Sequence, residues 1–314
     1  MSMSMFSVSA APIDTTKPIV KEKTGSLVGV NIEENENITW DNDADIRITS
    51  KKDEDESGGA VFGMRVHPGS VVTMNKNLNM VVKIEKEAIK SSSNGADVLH
   101  YYMSGIYAGN GMGGYAKDKA GPKVQIKGNV DMDVTGSAIQ SNQKSQITVE
   151  GGGKIIARPV TRSEVYSLVA EEGNIYINSG VDGKVPGTNK LEITGNMGII
   201  NKNYGVSKNP GELPTLISVG FTTKDSVFTG SVLNEFEENG TNPHESGVTL
   251  YLQNGATWKN KWVGTERVAA PRQNAESYLY KGSKVTNLIG GESEAKAGIT
   301  VSYTHLTLPT KRIV

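Results

Sequence analysis

The segment from Lys123 to Thr194 is the part of the sequence that decides the fold. It contains KVQIKGNVDMDV at 123–134, SQITVEGGGKII at 145–156, GNIYINSG at 173–180 and, running six residues past Thr194, KLEITGNMGII at 190–200. In each run, apolar residues occupy every second position until glycine or asparagine interrupts the pattern. This pattern is typical of strands with one buried face that are joined by turns. The sequence therefore predicts β-structure here, with almost no helix.

Two of these runs are near copies of each other. KVQIKGNV at 123–130 and KLEITGNM at 190–197 share lysine, isoleucine, glycine and asparagine at equivalent positions. We interpret them as one structural unit that is used twice, as expected for a stacked repeat.

The spacing of the strands favours one all-β architecture over two others. The intervals vary more than those of propeller blades, and the chain has few aromatic residues for a sandwich core. A parallel β-solenoid tolerates such variation, because each coil presents only a few alternating residues to its neighbours. We therefore predict a right-handed parallel β-helix with irregular loops over residues 38–300.

At roughly 22 to 24 residues per coil, this β-helix would have about eleven coils and a length on the order of 50 Å. The alternation predicts which residues point inward: Val124, Ile126, Ile147, Val149, Ile175, Ile177, Leu191 and Ile193. It also predicts polar outward partners: Gln125, Lys127, Gln146, Thr148 and Glu192.

Composition and charge narrow the functional classes. Hydrophobic residues make up 36% of the 314 residues and aromatic residues 6%, while glycine occurs 36 times, above its usual share of about 7%. The net charge of -1 gives no global attraction to nucleic acid. The absence of cysteine excludes disulfides and cysteine-ligated metal sites. It fits an exported bacterial protein and also a cysteine-free cytosolic one.

Both ends of the chain differ from the middle. Residues 1–11 end in small residues around Ala10, so we interpret them as the remnant of a secretory signal peptide, with a disordered native N-terminus as the alternative. Residues 12–37 are polar and predict a leader or cap. Residues 301–314 lack the alternation and resemble a peptide translated from a sequencing-library adapter, so we expect a non-native tail there.

One late segment carries a resemblance to a known family. LQNGATW at 252–258, followed by a strand, a Gly-Ser and Val-Thr-Asn-Leu at 285–288, resembles the passenger domains of bacterial autotransporters of the pertactin-like and adhesin type. In that family, a Leu-x-x-Gly-Ala-x-Trp rung lies late in the passenger, shortly before the outer-membrane barrel. The resemblance implies a passenger fragment separated from its barrel, located at the cell surface, in the outer membrane or secreted.

Few residues point to chemistry. Asp131 and Asp133 lie two residues apart on one strand face, as the paired acids of a β-helical polysaccharide hydrolase or lyase would, although outward carboxylates are common on solenoids.

Three other motifs do not fit the sites that they resemble. Asp41, Asp43 and Asp45 lack the glycine and glutamate positions of a calcium loop. The string from Gly109 to Gly114 matches a dinucleotide-binding pattern, but Gly121-Pro122 leaves no room for the required helix. The histidines lack metal-ligand spacing, so we expect no metal and no cofactor.

Two functions remain open from the sequence. The first is a non-enzymatic surface stalk or adhesin whose loops near 51–59, 201–214 and 235–246 bind glycans or proteins on host or bacterial cells, without nucleic acid. The second is a polysaccharide-cleaving β-helix that uses Asp131 and Asp133.

Overall fold

The structure is a computed structural model that describes most of the central chain. The described residues are 13–24, 26–51, 60–85, 103–109, 119–159, 166–200, 214–234, 246–263, 283, 285–291 and 300–302. All regular elements within these ranges are β-strands. None of the described residues belongs to a helix long and apolar enough to cross a membrane.

The strands follow one another in a regular order along the chain. The first twelve are β1 (Ile19–Thr24), β2 (Leu27–Ile32), β3 (Asn37–Trp40), β4 (Ala44–Lys51), β5 (Val61–Val66), β6 (Val71–Met74), β7 (Leu78–Ile84), β8 (Met103–Ala108), β9 (Lys123–Ile126), β10 (Val130–Thr135), β11 (Ser137–Asn142) and β12 (Gln146–Val149). The next twelve are β13 (Gly153–Arg158), β14 (Tyr166–Glu171), β15 (Asn174–Ile177), β16 (Leu191–Thr194), β17 (Asn196–Ile199), β18 (Leu216–Phe221), β19 (Val227–Thr229), β20 (Val232–Asn234), β21 (Gly247–Leu252), β22 (Thr257–Lys259), β23 (Asn287–Ile289) and β24 (Thr300–Ser302).

These strands form three parallel sheets, and the chain visits the sheets in turn. Sheet A has nine strands in the order β1-β4-β7-β10-β13-β16-β19-β22-β24, and sheet B has seven in the order β2-β5-β8-β11-β14-β17-β20. Sheet C has eight, β3-β6-β9-β12-β15-β18-β21-β23. From β1 to β19, each strand pairs in parallel with the third strand after it, for example β10 with β13. The predicted parallel β-helix is confirmed, and its right hand stays a prediction from the crossover rule.

The predicted number of coils was too high. Among the described residues, sheet A has nine strands rather than eleven, and at roughly 4.8 Å per strand they extend about 40 Å along the axis. One coil runs from Val130 only to Gly153, whereas the preceding coil runs from Leu78 to Val130. Insertions between strands lengthen most coils, so dividing the chain by a typical coil length overestimates their number.

The interior is one continuous aliphatic core. All eight residues predicted to point inward are buried in a single cluster that extends from Leu27 to Val285. Full burial of each aliphatic side chain contributes about 1.5 to 3 kcal/mol relative to exposure. Of the predicted outward residues, Thr148 is also buried, and the Gln146 amide donates both to its hydroxyl and to the carbonyl of Val181.

The two near copies do not occupy the same place in the coil. Residues 123–126 form β9 in sheet C and lead into sheet A, whereas residues 191–194 form β16 in sheet A and lead into sheet B. A strand followed by a glycine turn can lead from sheet C into sheet A or from sheet A into sheet B. The similarity of the two segments therefore did not show which sheet each one joins. The interpretation of one unit used twice is therefore wrong about position, because the two segments lie in different sheets, although both are strands of the stacked coils.

Asparagine and aspartate side chains stack at the turns between sheets C and A. The Asn77 backbone N–H and side-chain amide both donate to Asp43 Oδ1 at 3.1 Å. The Asn129 N–H donates to Asn77 Oδ1, and the Gly152 N–H donates to Asn129 Oδ1, each at 2.9 Å. Each of these oxygens satisfies a backbone donor of the next coil, so the ladder holds successive turns in register.

A column of small residues shapes sheet B. Gly63 and Gly105 lie at equivalent places in neighbouring strands, and Gly29 precedes them in β2. A Cβ on Gly63 would lie 2.7 Å from the carbonyl oxygen of Gly105, and a Cβ on Gly105 would lie 2.6 Å from that of Ala138. The backbones therefore approach too closely at this column for any side chain larger than the one present.

The parallel strand pairing of the β-helix extends slightly beyond the predicted range of 38–300. Strands β1 and β2 lie within 12–37, the expected leader or cap, and pair with β4 and β5. Among the described strands, β1 pairs in sheet A with β4 alone, and it is mostly exposed and charged, as is common for a protected sheet edge. At the other end, β24 carries the pairing to Ser302. Residues 1–12 and 303–314 lie outside the described residues.

Shortening one inward side chain tests the core. We expect Ile126→Ala to lower the free energy of unfolding by about 2 to 5 kcal/mol, because Ile126 is completely buried and its loss leaves a cavity. The matched control Lys123→Ala removes an exposed side chain of the same strand and should change stability by no more than about 0.5 kcal/mol. Urea denaturation measures both, and equal effects would contradict the inward assignment.

Candidate functional site

Asp131 and Asp133, the predicted acid pair, lie on the outer face of β10 in sheet A. Asp131 is exposed and lies opposite Asn79 in β7 and Lys154 in β13. Residues two apart in a strand project from the same face, about 6.6 Å apart along the backbone. The structure therefore places both acids on one face, as predicted from the alternation.

The charge of Asp133 is balanced by an arginine of the next coil. Arg158 Nε donates to Asp133 Oδ1 at 2.5 Å, and Nη2 donates to Oδ2 at 2.8 Å. The pKa of Asp133 is lowered, first by these hydrogen bonds and further by the positive charges of Arg158, Lys83 and Lys154, while desolvation opposes them. Asp133 is thus ionised at neutral pH and is unsuited to donate a proton as a general acid.

The aspartates at 41, 43 and 45 are used by the stacked turns. Asp41 Oδ1 accepts from the Asn75 amide at 2.7 Å, and Asp43 accepts from Asn77. Asp45 pairs with Arg47 at 3.0 Å. Their oxygens hold protein donors, and no group of three or more metal-ligating His, Cys, Asp or Glu side chains occurs among the described residues.

Trp258 belongs to the core. Its ring stacks on Phe228, which stacks on Phe221, with centroid separations of 5.7 Å in both pairs. The indole Nε1 donates to the carbonyl of Gly230 at 2.9 Å. In the LQNGATW segment, the turn at Asn254 and Gly255 has positive φ at both residues. The segment is therefore a turn and strand of the coil with an inward tryptophan.

The chain after β22 crosses the outer face of sheet B. Trp262 packs against a second apolar cluster that is separate from the interior and consists of Tyr166, Val169, Ile200 and Leu233. The Asn196 amide fixes this crossing, because its nitrogen donates to the Val263 carbonyl at 2.8 Å and its oxygen accepts from the Val263 N–H at 3.0 Å.

A column of polar and aromatic residues on the outer face of sheet B was missed by the sequence reasoning. Asn31, Arg65, Tyr107 and Gln140 lie opposite one another in four successive strands. Arg65 also stacks on a neighbouring aromatic side chain. The signal was present, because Val-Gly-Val-Asn-Ile, Phe-Gly-Met-Arg-Val and Ser-Gly-Ile-Tyr-Ala share a glycine two positions before the column residue.

His67 adjoins this column. Its Nε2 lies 3.2 Å from Asn31 Oδ1. The pKa of His67 is lowered, first by burial and then by the positive charge of Arg65, while Glu33 and Glu34 oppose the shift. His67 is therefore mainly neutral at pH 7. His100, His244 and His305 lie outside the described residues, as do positions 110–118 of the glycine-rich string.

Connection lengths single out sheet B. Most turns between sheets C and A are short: 41–43, 75–77, 127–129, 150–152, 222–226 and 253–256. Long connections enter or leave sheet B at 52–60, 85–102, 109–122, 159–165, 200–215 and 235–246. The predicted binding loops near 51–59, 201–214 and 235–246 belong to this second set, and almost all of their residues lie outside the described ranges.

The long connection between β15 and β16 is held against the outer face of sheet C. The Ser218 hydroxyl donates to the Gly183 carbonyl at 2.7 Å, and the Tyr251 hydroxyl donates to the Lys184 carbonyl at 2.8 Å. The Thr222 hydroxyl donates to the Gly187 carbonyl at 2.6 Å. This connection therefore covers sheet C.

Comparison with known proteins identifies no relative. The chain matches no protein-family model, no curated protein and no solved structure. Its functional assignment therefore depends on the residues and geometry described above.

Removing the carboxylate of Asp133 tests the ion pair through pH. We expect Asp133→Asn to lower the free energy of unfolding at pH 7 by no more than about 1 kcal/mol, because the pair is largely exposed. A lowered folded pKa adds stability above the unfolded carboxyl value of about 3.9, and this stability is lost as the pH falls through the folded value. The difference between wild type and variant should therefore shrink below pH 4.

Urea denaturation at pH 7 and near pH 2 measures this effect. Asp131→Asn is the matched control, because no described residue forms an ion pair with Asp131, and it should leave stability unchanged at both pH values. A pH-independent effect of Asp133→Asn would contradict the ion-pair account.

Proposed function

We propose that this chain is a surface-exposed β-helical passenger region of an autotransporter that acts as a stalk and adhesin. Its partners would be glycans or proteins on host or neighbouring bacterial cells. The proposal places the chain at the cell surface, in the outer membrane or in secreted form, with a barrel following in the same polypeptide. Enzymatic activity is not part of this proposal.

The observation that carries this proposal is the placement of the long connections. A parallel β-helix holds the two ends of each connection at fixed positions, because the strands that flank the connection are hydrogen bonded to strands of the neighbouring coils. Six of the nine connections of seven or more residues begin or end at sheet B, and the other three, at 178–190, 260–286 and 290–299, join strands of sheets A and C. A rigid scaffold that carries its variable segments along one sheet is a common arrangement for binding. The resemblance of LQNGATW to a late passenger rung supports the same assignment.

Cell attachment tests the adhesin proposal. We expect cells that display the chain on a heterologous anchor to attach better to host-cell or matrix-coated surfaces than cells with the anchor alone. Replacing 236–244 by a glycine and serine segment of equal length, or 52–58 likewise, should reduce attachment because these segments adjoin sheet B.

The matched control is Glu192→Ala, which changes an outer residue of sheet A without touching sheet B. Surface staining must show equal display of all variants. Equal attachment with and without the displayed chain would reject the adhesin proposal.

The second candidate is polysaccharide cleavage, favoured by the presence of Asp131, Asp133, Lys154 and Arg158 on one outer face. Because Asp133 is ionised and oriented by Arg158, its role would be that of a base or nucleophile. This candidate predicts that Asp133→Asn lowers the cleavage rate by about 100-fold or more. Reducing-end release from a panel of polysaccharides measures it, and an unchanged rate or the absence of cleavage by wild type would reject it.

A further inference from the structure

The connection at 178–190, which covers the outer face of sheet C, presents two valines to solvent. Val181 is 57% exposed and Val185 is 67% exposed. Among the described residues, the other exposed large hydrophobic side chains are Val20 in β1 and Val71 in β6. Single exposed apolar residues are common, whereas two within one short segment indicate a surface that contacts another molecule.

Two opposite charges lie between these valines. The segment reads Val-Asp-Gly-Lys-Val at 181–185. The side chains of Asp182 and Lys184 are exposed, and Gly183 between them is buried. Neither charge forms an ion pair with another described residue. Both charges are therefore available to a second molecule.

The segment is held in one conformation above sheet C. The Val181 carbonyl accepts from the Gln146 amide of β12 at 3.2 Å, and the Lys184 carbonyl accepts from the Tyr251 hydroxyl of β21 at 2.8 Å. The segment thus runs along the helix axis across three strand spacings, about 14 Å. Gly183 has a φ of +70°, and a Cβ there would lie 2.8 Å from side-chain atoms of sheet C. Because this backbone is fixed before any contact, docking on it costs little ordering entropy.

The order of the five residues is complementary to itself. Reading the segment backwards and exchanging the two charges gives the same pattern. If two copies meet in antiparallel directions about a two-fold axis at Gly183, Asp182 of each copy lies against Lys184 of the other. Val181 of each copy then lies against Val185 of the other. Such a two-fold contact is the commonest interface between identical chains, and a second copy supplies the matching pattern by its own sequence.

We propose that residues 181–185 form a two-fold contact with the same segment of a second copy of this chain. Because the segment runs along the helix axis, the two β-helices would lie antiparallel with their C sheets facing each other. The valines contribute the apolar contact, and the two charge pairs select the partner and its direction. Two short segments bury less than about 1,200 Å² in total, so the dimer is weak and reversible.

The proposal goes beyond the proposed function, because two purified chains in solution can form this contact without a cell or a host molecule. A failure of self-association is therefore distinguishable from a failure of cell attachment.

Charge reversal tests the two-fold contact by sedimentation velocity. We expect wild type to pass from monomer to dimer as its concentration rises. Asp182→Lys should raise the dissociation constant at least about tenfold, because it sets like charges against each other at both charge pairs. Lys184→Asp should do the same. An equimolar mixture of these two variants should associate about as tightly as wild type, since every charge pair between them joins a lysine and an aspartate.

Two further variants separate charge from local folding. The Lys184 N–H donates to Asp182 Oδ1 at 3.1 Å, and Asp182→Asn keeps this acceptor while it removes the charge. It should therefore raise the dissociation constant less than Asp182→Lys does. The matched control is Lys259→Asp, a charge reversal on the outer face of sheet A, which should leave the dissociation constant unchanged.

Three results would overturn the proposal. The first is a wild type that stays monomeric at every concentration, which would leave this surface to a partner of another kind. The second is a mixture of Asp182→Lys and Lys184→Asp that associates no more tightly than either variant alone. The third is an unchanged dissociation constant in Lys184→Asp.

Discussion

In-register stacking of parallel strands is the constraint on which the whole molecule depends. Hydrogen bonds in a parallel sheet join one coil to the next, so a strand satisfies its backbone groups only if its neighbours return to the same register. Met132 therefore lies between Met80 and Ile155, with aliphatic residues above and below it. A slip of one residue in this strand would bring Asp131 and Asp133 into the core and expose its methionine and valines. Charged side chains cannot be buried there without large cost, so the alternating pattern fixes the register.

Much of this arrangement could be predicted from the alternation, because a period of two identifies strands with one buried face. The eight inward residues between Val124 and Ile193 were identified in this way. The pattern does not tell which of three equivalent sheets a strand joins, and for that reason the near copies at 123–130 and 190–197 were placed wrongly. The turn residues carry that information. Asp43, Asn77 and Asn129 each come just before the first residue of a sheet A strand, and alignment on them gives the correct coils despite the insertions.

The outer face was less predictable than the interior. Whether an aromatic ring such as that of Trp258 faces inward depends on its position in the strand and not on its neighbours in the sequence. Asp131 and Asp133 were correctly placed on one face, but the partnership with Arg158 depends on a contact between coils that sequence spacing does not show. The same holds for Arg65, which lies opposite Asn31 and Tyr107 of the two neighbouring strands. Side chains on a β-helix surface acquire their neighbours from adjacent coils, so chemistry there becomes visible only once the register is known.

The register of β10 against β13 can be measured directly, since the chain has no cysteine. Asp131 and Lys154 are both exposed and lie opposite each other, at about the 4.8 Å strand spacing that a disulfide can bridge. Asp131 and Glu192 are one strand further apart and form the matched control pair. After mild oxidation, the double variant Asp131→Cys with Lys154→Cys should form a disulfide in nearly all molecules, and Asp131→Cys with Glu192→Cys should form none. A bridge in the second pair, or none in the first, would contradict the stacked parallel coils.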